Sequence, residues 1–270
     1  MVGVGRRKLT ITAFFMLLLA GFSSAAYIRI DVAVEPISVI SAGSQDLKAT
    51  FTNLGDEPAY DVQASLLLPD GFQAQPVFIG LLQPNTPSTQ AFSISIDESN
   101  IPGTYPIVVK THYADANAYP FTTVYPFVVH YKQPAPTKVR GLVKEVSLPP
   151  EKKRDLVLEV TNLDAKPQTV SVRLYLPDEI VADQYETEIS LDAQGTGSVS
   201  IPIKAFGALP GSTYVVFASL EYEEAGLHYS ILSGGMVKVV EEEEEETIEY
   251  LPMAALILLV GMFLYMQVKK

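Results

Sequence analysis

The sequence contains no cysteine. A chain without cysteine has no disulfide framework, no thiolate zinc site and no cysteine nucleophile, so packing alone must hold it together. None of its asparagines begins an Asn-x-Ser/Thr acceptor, and N-glycosylation is not expected. The sequence also lacks a Gly-x-Ser-x-Gly elbow, a phosphate-binding loop and a His-Glu-x-x-His motif. These absences predict a protein without catalysis and without a cofactor.

Basic residues are scarce between the two ends of the chain. The formal net charge is −12, and Arg6, Arg7, Lys8, Lys269 and Lys270 all lie in the terminal segments. Without these five, 14 basic residues stand against 31 acidic ones, a balance of about −17. A surface this acidic repels polyanions, so we predict that nucleic acid is not a partner.

Apolar segments at both ends predict export and membrane anchoring. Residues 1–26 combine a basic start, a short apolar stretch and small residues, which is typical of a cleaved signal peptide, with an uncleaved anchor as the alternative. Residues 251–268 are apolar and long enough for a transmembrane helix, followed by a basic cytoplasmic tail at 269–270. The glutamate-rich residues 241–250 predict a solvated acidic stalk. We expect a single-pass type I protein of the cell membrane, with its domains outside the cell.

One stretch of the sequence occurs twice. In each copy Asn-Leu is followed by a polar corner and a proline, and an alternating apolar run then ends at Leu-Pro-Asp. A Pro-Gly-Thr-Tyr segment and a Pro-Gly-Ser-Thr-Tyr segment follow further along. The offset of about 108 residues is too long for a solenoid repeat and indicates a duplicated domain. The paired segments are 51–58 and 160–167, 66–70 and 174–178, and 101–105 and 209–214.

Apolar and polar residues alternate through both copies, which predicts half-buried β strands. Short strands separated by Gly, Pro, Asn and Asp corners favour an all-β fold of two tandem Ig-like antiparallel β-sandwiches, with about seven strands each. We place the first sandwich at 27–132, a stiff Pro-rich linker at 133–136 and the second sandwich at 137–240. The predicted strands are 28–35, 45–53, 60–68, 77–82, 89–96, 104–113 and 119–131, then 139–147, 153–161, 168–176, 185–191, 196–203, 212–222 and 228–240.

The corner at 52–58 and the strand exit at 68–72 resemble a pattern of prokaryotic surface modules. That pattern is Asn-x-Gly-x-x-Pro followed by Leu-Pro-x-Gly-Phe, as in archaeal and bacterial S-layer-related, NEW3 and CARDB-like domains. The second copy keeps Asn162 and Pro167, but it has Asp164 in place of the glycine and Glu179-Ile180 in place of Gly-Phe. The resemblance implies an Ig-like fold on a prokaryotic, archaeal cell surface, and it brings no common catalytic site.

An aromatic face provides the candidate contact site. It belongs to the last strand of the first repeat, with one residue from the neighbouring strand, and prolines in this strand suggest a sheet edge. Two interpretations remain open. The face either belongs to the sandwich core or forms an exposed patch for a protein or a glycan. Its residues are Tyr113, Tyr119, Phe121, Tyr125, Phe127 and Tyr131.

The remaining polar residues give no strong site. His112, His130 and His228 lack the spacing of a zinc helix, and we predict strand-surface histidines and no metal site. The acidic corners at 56–57 and 115–117 offer oxygens for a loop calcium as the alternative.

The function expected from the sequence is binding at the cell surface, in adhesion or envelope contact, with a protein or glycan partner. The alternative is a non-catalytic accessory subunit of a membrane enzyme, transporter or secretion complex, whose C-terminal span docks against its partner.

Overall fold

The computed structural model describes residues 27–36, 39–41 and 43–240. These residues form β strands and no helix, so the all-β prediction is confirmed for them. No helix within these ranges is long and apolar enough to cross a membrane. The predicted signal peptide (1–26), stalk (241–250), transmembrane helix (251–268) and tail (269–270) lie outside the described residues.

The first half of the structure contains eight strands. Alternation shows clearly in β2, where Leu47, Ala49 and Phe51 are buried between more exposed neighbours. Because successive side chains of a strand point to opposite faces, this pattern directs one face to a core. The strands are β1 (Ile30–Val34), β2 (Gly43–Asn53), β3 (Ala59–Leu67), β4 (Phe72–Gln73), β5 (Val77–Leu82), β6 (Pro87–Ile96), β7 (Gly103–Ala114) and β8 (Pro120–Tyr131).

These strands form a β-sandwich. One layer has the order β1-β2-β6-β4, and the other has the order β5-β3-β7 with β8 on β7. Phe51 and Phe92 from the first layer share a buried cluster with Ile107 and Tyr131 from the second layer. The core of the first sandwich therefore lies between the two layers, as in other face-to-face sheet packings.

The second half repeats this arrangement with a second core. One layer has the order β13-β15-β11-β9, and the other has the order β14-β12-β16-β17 with β10 on β17. Leu156 and Ile203 share its buried cluster with Val172 and Val216. The strands are β9 (Val139–Val143), β10 (Val146–Leu148), β11 (Arg154–Asn162), β12 (Gln168–Tyr175), β13 (Ile180–Ala182), β14 (Glu186–Leu191), β15 (Thr196–Ala205), β16 (Thr213–Glu224) and β17 (Leu227–Val239).

The two sandwiches have equivalent strand orders. The layer β1-β2-β6-β4 corresponds to β9-β11-β15-β13, and β5-β3-β7-β8 corresponds to β14-β12-β16-β17. Even the change of layer after the first strand is shared: Ile40 forms a parallel bridge with Tyr131, and β10 runs parallel to β17. The sequence repeat thus coincides with a repeat of topology.

Two details of the strand prediction differ from the structure. The predicted strand at 139–147 is two strands, because the chain leaves β11 after Val143 and joins β17 at Val146. The short strands β4 and β13 follow the two Leu-Pro-Asp exits and were not predicted. With two and three residues, they are too short to show an alternating period.

The repeated asparagines fix the two corners. The Asn53 side chain is fully buried, accepts a hydrogen bond from the Gly55 amide at 2.9 Å, and donates to the Glu57 and Leu82 carbonyls at 2.7 and 3.3 Å. Asn162 makes the same kind of bonds to residues 164, 166 and 192. Since buried backbone groups need partners, an amide side chain with both donor and acceptor suits this position.

The inner layers of the two sandwiches join into one nine-stranded sheet. The connection is a single parallel bridge between Gly103 on β7 and His228 on β17. A Cβ atom at Gly103 would lie 2.0 Å from the His228 carbonyl oxygen, so only glycine permits this approach. The His228 amide donates to the Pro102 carbonyl at 2.9 Å.

A third apolar cluster packs the sandwiches together. Leu67, Val108 and Val124 come from β3, β7 and β8, and they meet residues of β12, β16 and β17. Those three strands are the equivalents of β3, β7 and β8, so the same face of each sandwich is used. The residues from the second sandwich are Tyr175, Phe217 and Leu232.

Polar contacts surround this third cluster. Lys110 and His112 pair with Asp178, the latter at 3.3 Å. Thr104, which lies on β7 as well, exchanges two hydrogen bonds of 3.0 Å with the backbone of Ala135, which is itself buried. Residues 133–136, predicted as a stiff connector, are therefore held against the first sandwich at Ala135.

Candidate functional site, an aromatic groove between the two sandwiches

An open groove of about 720 Å³ lies where the two sandwiches meet. The first sandwich contributes the segment before and into β1, the ends of β7 and β8, and Glu57. The second contributes the corner after β12 and the start of β16. The lining residues are Tyr27, Ile28, Arg29, Ile30, Glu57, Tyr113, Asp115, Phe121, Thr122, Thr123, Pro177, Glu179, Leu209, Ser212, Thr213, Tyr214 and Val215.

About half of the residues that line the groove are aromatic or aliphatic. Tyr113 and Phe121 stack with ring centroids 5.6 Å apart. Tyr27 is 54% exposed and Val215 is 50% exposed, although both are large apolar side chains. Tyr214 is half-buried, and burial raises the pKa of its phenol, which keeps the ring neutral. The groove therefore presents ring faces and apolar surface to a ligand.

The structure divides the aromatic face predicted from the sequence. Tyr113 and Phe121 line the groove, and Tyr119 contacts Phe121 with centroids 5.1 Å apart while its hydroxyl donates to the Gly207 carbonyl at 2.5 Å. Phe127 is partly buried against the first core, and Tyr131 is fully buried in it and not available to a partner. Tyr125 lies between these two groups and is partly exposed.

Sequence reasoning missed the part of the groove that comes from the second sandwich. Tyr214 and Val215 were assigned only to a predicted strand, and Glu179 appeared only as a departure from the repeat pattern. That departure was the available signal: a glutamate stands where the first copy has Gly71, directly before the buried Phe72 and its equivalent Ile180.

Glu179 is a buried acid among the residues that line the groove. Its side chain belongs to a residue that is only 5% exposed, and Oε1 accepts a hydrogen bond from the Thr122 amide at 2.7 Å. No described residue donates to Oε2. Burial raises the pKa of Glu179 above its ordinary value, although the amides of Thr122 and Glu179 itself act in the opposite direction. A buried carboxyl oxygen without a donor is costly, and such groups occur preferentially at functional sites.

A second, more polar groove of about 550 Å³ lies on the other side of the junction. It is built from equivalent parts of the two copies, with Tyr105 in the position of Tyr214 and Tyr222 in the position of Tyr113. Here His228 stacks flat on Tyr105, with centroids 4.1 Å apart, and its Nε2 lies 3.4 Å from a Glu221 carboxylate oxygen.

His228 lines that second groove with both ring nitrogens close to oxygen atoms. Its Nδ1 lies 2.8 Å from the Thr104 carbonyl oxygen, and its Nε2 faces the Glu221 carboxylate. Burial alone would lower the pKa of His228, but its bonds to Glu221 and to the Thr104 carbonyl raise it above the ordinary value. The sequence predicted surface histidines, and the structure places His228 within the junction.

The other polar residues make local contacts. His130 lies 3.0 Å from the Thr104 hydroxyl, and burial lowers the pKa of His112 despite the neighbouring Asp178. In the corners considered for calcium, Asp56 accepts from the Tyr27 amide and Asp115 from the Tyr119 amide, each at 2.8 Å. Within the described part of the chain, no three His, Asp or Glu residues are grouped to hold a metal ion.

No protein-family model and no curated protein matches this chain. Solved structures similar to it include the E. coli chaperone DraB, with 13% identity and a TM-score of 0.29 over 39% of this chain and 56% of DraB. Another is red sea bream transglutaminase, with 13% identity and a TM-score of 0.27 over 80% of this chain and 32% of that one. A Porphyromonas gingivalis W83 protein of unknown function matches over 78% of this chain and 99% of its own, with 13% identity and a TM-score of 0.31.

The chain spans 56% of DraB and 32% of the transglutaminase. At these TM-scores the similarities carry no argument about function. The groove itself must supply that argument.

Proposed function

We propose that this chain is a membrane-anchored surface protein of two tandem Ig-like sandwiches, and that it acts by binding a partner in the groove between them. The observation that carries this proposal is the apolar rim, where Tyr27 and Val215 are about half exposed at the junction of two docked sandwiches. Exposed apolar surface of this kind is typical of contact sites. Membrane anchoring rests on the apolar segment at 251–268, and surface display rests on the export signal at 1–26 and on the resemblance to prokaryotic surface modules.

The docking of the sandwiches supports a groove of fixed shape. The third apolar cluster, the Gly103–His228 bridge and the Lys110–Asp178 pair all join the two halves. A preformed groove binds at a lower entropic cost than one that must be assembled from two mobile domains.

The test uses the full-length chain in lipid nanodiscs, added to envelope preparations of its source organism. We expect saturable binding that Val215→Arg weakens at least about tenfold, because a buried charge in an apolar contact is costly. Tyr185→Arg introduces the same residue at an exposed position outside the groove and should leave binding unchanged. Equal binding by Val215→Arg and the unchanged chain would contradict the proposal.

Two further measurements separate the parts of the proposal. Protease treatment of whole cells should cleave the region 27–240, and complete protection would rule out surface display. Purification in mild detergent with one stoichiometric membrane protein would instead favour the role of accessory subunit in a membrane complex.

A further inference from the structure

A loop of the second sandwich holds a large apolar ring in water. Residues 206–212, here called the apolar loop, connect β15 to β16, and Phe206 is 67% exposed. Backbone groups of the loop are hydrogen-bonded: the Phe206 amide donates to the Glu179 carbonyl at 2.8 Å, and the Gly207 carbonyl accepts from the Tyr119 hydroxyl. These bonds fix the loop in place while its largest side chain remains exposed.

The equivalent loop of the first sandwich has the opposite character. It covers residues 97–102 between β6 and β7, and its sequence is Asp-Glu-Ser-Asn-Ile-Pro. The apolar loop reads Phe-Gly-Ala-Leu-Pro-Gly-Ser and has no charged residue. Because the same connection is made in the first copy with polar side chains, the fold alone does not require an exposed ring here. The difference points to a contact that only the second loop makes.

The two loops lie beside opposite ends of β17. The polar loop is at its start, where the His228 amide donates to the Pro102 carbonyl at 2.9 Å. The apolar loop is at its end, where the Gly211 amide donates to the Val239 carbonyl at 2.7 Å. A strand rises about 3.3 Å per residue, so β17 separates the two loops by roughly 36 Å. A contact at one loop is therefore out of reach of the other.

The apolar segments of the sequence attach at the end that carries the apolar loop. Val240 is the last described residue, and the predicted transmembrane helix (251–268) follows after residues 241–250. A connector of this length spans at most about 36 Å, so the membrane surface is never farther than this from Val240. Tyr27, the first described residue, lines the groove together with Leu209 of the apolar loop. Both ends of the described chain are thus on the same side of the molecule.

The charge near the apolar loop permits an approach to lipid headgroups. Residues 151–155 lead into β11 with the sequence Glu-Lys-Lys-Arg-Asp, and all five are exposed. Arg154 pairs with Ile203 near the end of β15, directly before the apolar loop. Three bases against two acids make this stretch basic in a chain whose net charge is −12. Exposed apolar side chains beside basic ones are typical of segments that lie in a membrane interface.

We propose that the apolar loop rests on the lipid surface of the membrane in which the chain is anchored, with Phe206 among the headgroups and Leu209 beside it. This inference rests on the membrane anchoring of the proposed function and specifies how the sandwiches stand on the bilayer. The anchor keeps the loop at a high effective concentration near lipid, so a weak apolar contact is sufficient. The competing arrangement is one in which the acidic stalk (241–250) holds both sandwiches away from the bilayer.

The experiment exploits the absence of tryptophan from the sequence. Phe206→Trp places a single fluorophore in the apolar loop, and Glu98→Trp places one at an exposed position of the equivalent polar loop. Each full-length variant is inserted into nanodiscs of phosphatidylcholine and phosphatidylglycerol, with or without phosphatidylcholine brominated in the upper part of one acyl chain. We expect bromine to quench the fluorescence of the Phe206→Trp variant at least about twofold, because tryptophan prefers the headgroup level of a bilayer. The Glu98→Trp variant should be unaffected.

A second substitution tests whether the apolar loop itself makes the contact. In the Phe206→Trp background, Leu209→Glu should remove most of the quenching, because a carboxylate resists desolvation at the lipid surface. Leu163→Glu is the matched control: Leu163 is 59% exposed and follows the far end of β11, so its replacement should leave the quenching unchanged. All substituted positions are exposed, and circular dichroism verifies that each variant keeps its fold.

The outcomes separate this inference from the proposed function. If the chain elutes with the nanodiscs but bromine quenches neither tryptophan variant, the stalk holds the sandwiches off the bilayer, and the inference is overturned while the anchoring stands. Equal quenching of both variants, or quenching that Leu209→Glu leaves intact, would also overturn it, since the contact would not belong to the apolar loop. If the full-length chain does not associate with lipid at all, the anchoring is wrong and both proposals fail.

Discussion

Replacement of Asn162 by alanine tests the view that the repeated asparagine is a structural residue of the corner. Its side-chain amide donates to the carbonyls of Lys166 and Asp192 at 2.7 and 2.9 Å, and its oxygen accepts from the Asp164 amide at 2.9 Å. The residue is fully buried. Alanine would remove all three bonds without supplying a substitute.

The expected loss of stability follows from these three bonds. A buried polar group that loses its partner costs about 1–3 kcal/mol, so the two stranded carbonyls alone predict about 2–6 kcal/mol for Asn162→Ala. Asn162→Asp should be at least as harmful at neutral pH, because a carboxylate would face two carbonyl oxygens. Its stability should recover partly in acid, where a protonated carboxyl group can donate once more.

Urea unfolding followed by circular dichroism measures both variants. Asn117→Ala is the matched control, because Asn117 is an exposed loop asparagine and its loss should change the free energy of unfolding by less than about 0.5 kcal/mol. If Asn162→Ala behaved like Asn117→Ala, the corner would not depend on the asparagine. The reasoning would also fail if Asn162→Asp became less stable on acidification.

Three other predictions concern the junction. Gly103→Ala places a Cβ 2.0 Å from the His228 carbonyl, so it should separate the inner layers and increase the radius of gyration measured by X-ray scattering. Glu179→Gln should raise the melting temperature at neutral pH. Because burial raises the pKa of Glu179, ionisation of this carboxyl group costs stability above its ordinary pKa of 4.5. The increase in melting temperature should therefore disappear below that pH. His228→Gln should cost most below the ordinary histidine pKa of 6.5 and less at alkaline pH, since the raised pKa of His228 gives stability that is lost as pH rises through it. Melting curves of each variant and of the unchanged chain are compared across pH. If the difference in melting temperature stayed constant, the role given to Glu179 or His228 would be contradicted.

The strands could be predicted from sequence because a half-buried strand repeats every two residues. In β2 and β11 each buried apolar residue alternates with a more exposed one. The predicted bounds of both strands agree with the observed bounds within two residues at each end. The corners were visible because Asn53 and Asn162 recur at a fixed spacing. Both signals are local, so neither depends on how distant parts of the chain meet.

The junction could not be predicted in the same way. Its residues Val108 and Val124 lie on the faces of β7 and β8 that a solitary sandwich would expose, and alternation cannot tell a solvated face from one that is covered by a neighbour. One sign was present: the run Ile107–Val109 is apolar without a break, as in strands that are buried on both faces. The groove exists only because the two sandwiches meet at the junction. For that reason the sequence predicted only the residues that the first sandwich contributes to it.

In the third apolar cluster equivalent strands of the two copies face each other, as they would across the two-fold axis of a homodimer. Such an isologous contact is self-complementary and uses up the surface on which it is built, so it cannot propagate to further molecules. The present chain therefore corresponds to a homodimer fused into one polypeptide. Since fusion lets the two halves diverge, the two grooves at the junction are free to differ, and one is lined by Tyr214 and Phe121 while the other is more polar and includes His228.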